Sequence, residues 1–349
     1  MIKIAVLPGN GIGPVVTECG VQLLKFILDK EYSAYRMDWL KLDTDTYLSV
    51  DEDKVRETLD KCSEYDFILF GAVGCSDKRK NNYGGGLLLD IRRHFDLYIN
   101  LRPVAHISDR LSPLKKNPDF DIAIVRENTE CAYVNIGGRF QTKDYAEIAV
   151  QEMIYTGHKT EKTINYAFEL STSRKNKVTL CDKSNVLKYG HGLWKDIFYE
   201  VAKKYPQVTA EHYYVDSLAA QLVKSPESFD VIVAPNMFGD ILSDLTAQLQ
   251  GGIATAGSIN KGDGKTIFVE PVHGSADDLT DKEYANPIGM INAVRLMLEE
   301  LNLTHISGQI KNILTELIRE NEVTPDLGGS LTAAGFMDKL INKLTTLDR

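Results

Sequence analysis

The chain has 349 residues, 43% of them hydrophobic, with a formal net charge of −9. That length can bury a large core and suggests two domains rather than one. The acidic balance argues against a nucleic-acid binder, and no apolar run reaches the roughly 18 residues that a membrane span needs.

Strand-like and helix-like segments alternate along the chain. Ile2 to Leu7 reads as a strand and Pro14 to Leu28 as a helix with its proline in the first turn. Tyr65 to Phe70 is a second strand, and Leu87 to Asp96 a helix. Asp121 to Val125, Lys177 to Leu180 and Phe229 to Ala234 read as further strands, with helices at Lys159 to Thr172, Gly192 to Lys204 and Ile288 to Glu300. The alternation predicts an α/β fold with a largely parallel sheet and active residues at strand ends. The glycine-rich stretch from Gly251 to Gly264 is expected to cross between domains. The N-terminus enters a strand without a signal-peptide pattern. Cys19, Cys62, Cys75, Cys131 and Cys181 are scattered, with no C-x-x-C. Both features fit reduced thiols in a cytoplasmic protein and give no support to a zinc site or a disulfide framework.

The most informative run is Asn236-Met-Phe-Gly-Asp240-Ile-Leu-Ser-Asp244, directly after the β-branched strand. If helical, it places two carboxylates on one face, one turn apart. Like charges so placed repel unless a hard divalent cation lies between them. For an arbitrary D-x-x-x-D, a solvated helix face is the commoner explanation. Asp216, in Tyr213-Tyr-Val-Asp216, could complete a three-carboxylate site suited to Mg²⁺ or Mn²⁺.

Arg92, Arg102 and Arg126 fall in three neighbouring segments, the last at the end of a strand. Guanidinium groups grip carboxylates in planar, bidentate fashion, so three of them suggest a substrate with two carboxylates. Any one alone is more often a surface ion pair, as is expected of Arg93. Lys183 follows a strand, and a lysine held beside a cation and an aspartate can serve as a base, with a tyrosine such as Tyr133 donating a proton. Singly, each is an ordinary surface or core residue.

Two glycine loops remain. Gly9-Asn-Gly11-Ile-Gly13-Pro14 follows the first strand, but its spacing is not G-x-G-x-x-G. A tight turn before a helix is the favoured reading, and a loop lying near a cofactor without gripping its pyrophosphate is another. Glu270-Pro-Val-His273-Gly274-Ser275-Ala276-Asp-Asp278, followed by Asn286-Pro287, could wrap an adenosine. His273 could stack on or bond the adenine. Asp278 could accept from the ribose hydroxyls and so select NAD over NADP. A satisfied loop histidine is the simpler account of His273 alone.

Together these residues resemble the β-decarboxylating dehydrogenases, the family of isocitrate, 3-isopropylmalate, homoisocitrate and tartrate/D-malate dehydrogenases. The resemblance runs from Leu7-Pro-Gly-Asn-Gly-Ile-Gly-Pro14 through Asn100-Leu-Arg-Pro103 and Val125-Arg-Glu-Asn-Thr-Glu130 to Gly239-Asp-Ile-Leu-Ser-Asp244 and Glu270-Pro-Val-His-Gly-Ser-Ala276. It implies an isocitrate/isopropylmalate dehydrogenase-like fold: two α/β domains sharing a twisted sheet, not a Rossmann dinucleotide fold. Residues 1–98 plus 252–349 would form a discontinuous cofactor-binding domain, and 99–251 the substrate, metal and dimerisation domain. It also implies a homodimer with shared active sites, Lys183 and Asp216 reaching into the partner's cleft.

By the same resemblance, Arg92, Arg102 and Arg126 are the carboxylate clamps, and Asp240, Asp244 and the partner-derived Asp216 the metal ligands. Lys183 is the base in hydride transfer to NAD⁺, and Tyr133 the acid that protonates carbon after CO₂ leaves. Asn185, His273, Gly274, Ser275, Ala276, Asp278 and Asn286 match cofactor positions. Leu88 and Leu89 face the variable group of the substrate. The chain departs from the family's usual first loop at Asn10 and Val15, which stand in place of two acids. It carries Gly85 where the 3-isopropylmalate enzymes carry a glutamate.

The expected activity is NAD- and Mg²⁺/Mn²⁺-dependent oxidative decarboxylation of a malate-type 2-hydroxy diacid, 3-isopropylmalate-like or D-malate/tartrate-like. Isocitrate or homoisocitrate is the alternative, less favoured because the two leucines offer an extra carboxylate no polar partner. A non-catalytic regulatory subunit is the alternative of another class.

Overall fold

A computed structural model of the chain describes residues 1–43, 47, 52–74, 84–116, 118–143 and 147–347. The chain divides into two compact units, one of Met1–Leu97, His106–Asn117 and Ala247–Arg349, the other of Tyr98–Ala105 and Pro118–Thr246.

In the first unit the strands lie in the order Tyr35–Trp39, Ile2–Gly9, Phe67–Ala72, Ile267–Pro271, Gly257–Lys261. The first four are mutually parallel and the last pairs antiparallel with its neighbour. Strand Phe67–Ala72 is buried at every residue, as expected of a central strand covered on both faces. On one face Ala5, Leu7, Ile68, Phe70 and Phe268 share a core with Leu59, Leu87 and Ile91 from helices Glu52–Cys62 and Gly84–His94. Helices Gly13–Glu31 and Ile288–Glu300 also pack on this sheet and on each other. Their contact is close: a Cβ at Gly20 would lie 2.8 Å from the Met290 side chain. Helices Thr304–Arg319 and Ala333–Leu347 complete this side.

In the second unit the order is Ile99–Ala105, Asp121–Glu127, Val231–Ala234, Lys177–Asp182, Thr209–Tyr214. The first pair is antiparallel and the rest parallel. Helices Gly157–Thr172, Gly190–Ala202 and Val215–Lys224 pack on these strands. Helix Asn236–Gln250 follows strand Val231–Ala234. A separate two-stranded ribbon pairs Gly137–Phe140 with Ile148–Gln151.

The predicted strands and helices are present, with ends displaced by a few residues. The described strand pairs of the sheet are largely parallel, as expected, with one antiparallel pair in each unit's share of it. The stretch from Gly251 to Gly264 contains strand Gly257–Lys261. Its glycine is required by packing: a Cβ at Gly257 would lie 2.3 Å from the Ala293 backbone nitrogen.

The parallel strands of the first unit end together at Gly9, Ala72 and Pro271, so the loops beyond them share one edge. Gly9 and Gly11 have φ of +71° and +65°, a region glycine enters without steric cost. Ile12 N–H donates to the Ser275 carbonyl at 2.9 Å, and Asn10 N–H to the Ala72 carbonyl at 2.8 Å. The Asn10 amide also donates to the Gly74 carbonyl at 2.7 Å and accepts from Gly74 N–H at 3.2 Å. A carboxylate could accept but not donate, so the asparagine supplies a two-way clasp that aspartate could not make.

A Cβ at Gly11 would lie 2.1 Å from the Ser275 carbonyl oxygen. Gly11→Ala should therefore cost more than about 2 kcal/mol of stability, read as a lower urea midpoint. An unchanged midpoint would show that the two loops are not packed this closely.

Candidate active site

The second unit carries eight of the expected site residues and brings five of them together: Arg102, Arg126, Tyr133, Asp240 and Asp244. Four of its strands are parallel, so Glu127, Ala234, Asp182 and Tyr214 end on one edge, and the segments carrying Tyr133, Asp240, Lys183 and Asp216 leave from it. Antiparallel pairing sets Asn100 opposite Arg126. Arg102, two residues from Asn100, shares its face.

Arg126 is 1% exposed. Its Nε and Nη2 donate to the Asn236 Oδ1 at 2.9 and 2.6 Å, and its Nη1 to the Asp240 Oδ1. Arg102 is held by the Asn100 Oδ1 at 2.8 Å and the Ser243 Oγ at 2.8 Å. Its Nη1 also reaches Asp240 at 3.3 Å and Asp244 at 3.5 Å. The Tyr133 hydroxyl donates to the Asp240 Oδ2 at 2.8 Å. Asp240 and Asp244 thus stand one turn apart on a helix, facing two arginines and a phenol. Gly239 makes room for this: a Cβ there would lie 2.7 Å from the Arg126 side chain.

Asp244 is the more open acid, its side chain 52% exposed. Partial burial and then the neighbouring Asp240 charge raise its pKa, opposed by Arg102 and Arg126. Two carboxylates with no nitrogen or sulfur ligand suit a hard divalent cation. Among the described residues of one chain, no three His, Cys, Asp or Glu side chains form a group able to hold a metal.

The segment between Arg126 and Tyr133 is braced internally. Glu127 is fully buried and accepts from Thr129 N–H and Oγ1 and from Glu130 N–H. Burial pushes its pKa up to about 7. Glu130 accepts from the Thr156 backbone and hydroxyl, and Asn236 donates to the Glu130 carbonyl at 3.1 Å.

Lys183 and Asp216 lie together, Nζ to Oδ1 at 2.6 Å. Asp216 is exposed, and the hydrogen bond from Lys183 holds its carboxyl below the usual range. Asn185 is exposed on the same loop.

The remaining expected residues belong to the first unit. Arg92 is buried and pairs with Glu270 at 3.1 Å. Glu270 also accepts from Asn260 at 3.0 Å and Ser258 at 3.4 Å. The Arg92 Nε is buried with no partner among the described residues. Leu88 is half-buried and packs against the hydrophobic core. Leu89, about 100° further round the helix, is half-buried. Gly85, also singled out by its sequence, has no described side-chain environment.

His273 is buried, and burial lowers its pKa. Its Nδ1 lies 2.9 Å from the Gly274 carbonyl, so Nδ1 carries the hydrogen, while Nε2 has no partner among the described residues. That orphaned acceptor differs from a satisfied loop histidine. Ala276 has a φ of +45°, and Gly274 and Asp278 are exposed. Asn286 is held in place: its Oδ1 accepts from Ile288 N–H and its Nδ2 donates to Asp326, both at 2.9 Å. Sequence reasoning missed Asn100, Asn236, Ser243 and Glu270. Asn236 opens the very run that signalled the site, and Asn100 shares a strand face with Arg102.

The chain belongs to the isocitrate/isopropylmalate dehydrogenase family, whose model matches residues 3–340. It is a dehydrogenase by class. It is 34% identical over 352 residues to a probable tartrate dehydrogenase/decarboxylase of Bacillus subtilis (strain 168), covering 99% of this chain and 98% of the relative. It is 38% identical over 346 residues to a 3-isopropylmalate dehydrogenase of Archaeoglobus fulgidus, covering 99% and 100%. The crystal structure of isocitrate dehydrogenase from Methylococcus capsulatus is similar at a TM-score of 0.86 and 30% identity, with 99% of each chain covered.

Asn236→Ala should leave two buried Arg126 donors without an acceptor and cost about 2–3 kcal/mol, measured by chemical denaturation. A loss under about 0.5 kcal/mol would mean that Asn236 is not what holds this guanidinium.

Proposed function

We propose that the chain catalyses NAD- and divalent-metal-dependent oxidative decarboxylation of a malate-type 2-hydroxy dicarboxylic acid. The observation that carries this reading is the convergence of Arg102, Arg126 and Tyr133 on the carboxylate pair Asp240 and Asp244. The cluster offers charge for anions, oxygen ligands for a hard cation and a proton donor within hydrogen-bond reach.

Asp240, Asp244 and a partner's Asp216 would hold Mg²⁺ or Mn²⁺. The loop from His273 to Asp278, with Asn185 and Asn286, would hold NAD. The unpartnered His273 Nε2 supports this, since it is an acceptor suited to a donor such as the adenine amino group. Asp278, exposed and acidic, suits free ribose hydroxyls better than a 2′-phosphate. When bound, NAD⁺ accepts a hydride and the cation supplies Lewis acidity.

Arg92, Arg102 and Arg126 bind the substrate carboxylates and fix the orientation of C2. A bound substrate must compete with Asp240 for Arg102 and Arg126, and with Glu270 for Arg92. Lys183 receives the hydroxyl proton. Tyr133, its phenol proton now directed at Asp240, delivers a proton to carbon after CO₂ departs. The first unit, with boundaries near residues 1–98 and 252–349, takes the cofactor. The second takes the substrate and metal and forms the homodimer. Exposed apolar side chains of the second unit, among them Ile136, Phe140, Val150, Val186, Tyr189 and Ile241, are available to such an assembly.

The relatives' names divide on the C3 substituent. Leu88 and Leu89, both half-buried, favour hydrogen, hydroxyl or a small alkyl group over a further carboxylate. D-Malate, tartrate, 3-isopropylmalate and isocitrate should be compared by NADH absorbance with Mn²⁺, using Lys183→Ala as the control. One of the first three should be the best substrate, with turnover lost in the control. Isocitrate as the best substrate would overturn the assignment. Asp278→Lys should shift preference towards NADP, read from kcat/KM for the two cofactors. An unaltered ratio would remove Asp278 from the ribose.

A further inference from the structure

His191 stands where three segments of the second unit meet. Its Nδ1 accepts the backbone N–H of Lys183 at 2.9 Å. An imidazole that accepts at Nδ1 carries its hydrogen on Nε2, and Nε2 lies 3.0 Å from the Tyr155 hydroxyl. That oxygen, receiving the imidazole N–H, lies 3.2 Å from the Cys131 Sγ, a contact in which either atom can donate, and 3.6 Å from the Met153 Sδ, a second acceptor for its hydrogen. The Phe238 ring, two residues before Asp240, meets the imidazole edge-on at 5.1 Å. His191 is 1% exposed, and burial holds its pKa down to about 4, so the ring is neutral and the tautomer is set by its partners.

One end of this chain of bonds is the backbone of Lys183 itself, and the other is the side chain of Cys131, two residues before Tyr133. Cys131 directly precedes the short 3-10 turn Ala132–Val134 that carries Tyr133. Its φ of 67° and ψ of −146° are unusual for a residue with a side chain, and its backbone is pinned to Ile154. At the other end, the Lys183 N–H opens the loop 183–189. Gly190 lets Tyr155 approach, since a Cβ there would lie 2.4 Å from its ring.

We propose that His191 and Tyr155 are positioning residues, whose hydrogen bonds from Lys183 N–H to Cys131 Sγ hold the Lys183 loop and the Tyr133 turn in register within one chain. The inference rests on the proton roles proposed for those two side chains. In the homodimer of that reading, Lys183 serves the partner's site and Tyr133 its own, so the same bonds tie the two sites together.

The test uses the full chain with His191→Phe, His191→Asn and Tyr155→Phe. Amide exchange across residues 180–188, kcat and KM on the best diacid, and thermal unfolding are measured for each. His191→Phe removes the acceptor, so exchange at Lys183 should accelerate and kcat should fall roughly tenfold to a hundredfold with KM nearly unchanged. His191→Asn restores an oxygen acceptor and should recover most of both. Tyr155→Phe should keep Lys183 protected while lowering kcat about tenfold. The proposal is overturned if kcat is unchanged in both phenylalanine variants, or if losses follow unfolding alone with no recovery in His191→Asn. Should the wild-type chain oxidise no diacid, the proton roles fail separately. Exchange then decides the relay, and equal Lys183 protection in wild type and His191→Phe overturns it.

Discussion

The carboxylate of Asp240 is the point on which the second unit's site depends. Arg126 and Arg102 both pair with its Oδ1, and Tyr133 donates to its Oδ2. Arg126 is almost wholly buried, and a buried guanidinium needs a counter-charge and filled donors. Asp240 supplies the charge and Asn236 the remaining acceptor, both from the first turns of one helix. Gly239 lies between them because the Arg126 stem passes too close for a side chain. The run from Asn236 to Asp240 is therefore a single device for holding one cation at a strand's end.

The fold delivers this device by a simple rule. Parallel strands end on one edge, and the segments leaving them gather there. In the second unit that edge carries Arg126, Lys183, Asp216 and Asp240. In the first it carries the loops after Gly9, Ala72 and Pro271, laced by Asn10, Ile12 and Ser275. The asparagine at position 10, a departure from the family's usual acid, is explained by the Gly74 backbone, which presents both a donor and an acceptor to it.

Much of this was legible in the sequence because the signals were local. Asp240 and Asp244 follow a β-branched strand at helical spacing, and Arg126 closes a strand whose four preceding residues are all apolar. The residues that escaped notice depended on tertiary partners. Nothing local marks Asn100, Asn236 or Ser243 as guanidinium ligands, since polar residues at strand and helix ends usually meet water. The glycines near 257 suggested a linker because the approach of the Ala293 backbone is invisible in sequence. The helix Thr304–Arg319 did carry a signal, with Ile306, Ile310, Ile313 and Leu317 at helical intervals.

The ribbon of Gly137–Phe140 and Ile148–Gln151 has two strands, and most of its side chains are open to water. A lone two-stranded ribbon is marginal in water, and its outer edges offer unpaired backbone groups. In the homodimer proposed above, a partner covering those edges would bind the folded chain and not the unfolded one, and would draw the folding equilibrium towards the native state by mass action. The melting temperature would then rise with the concentration of the chain, and dilution would act as a mild denaturant.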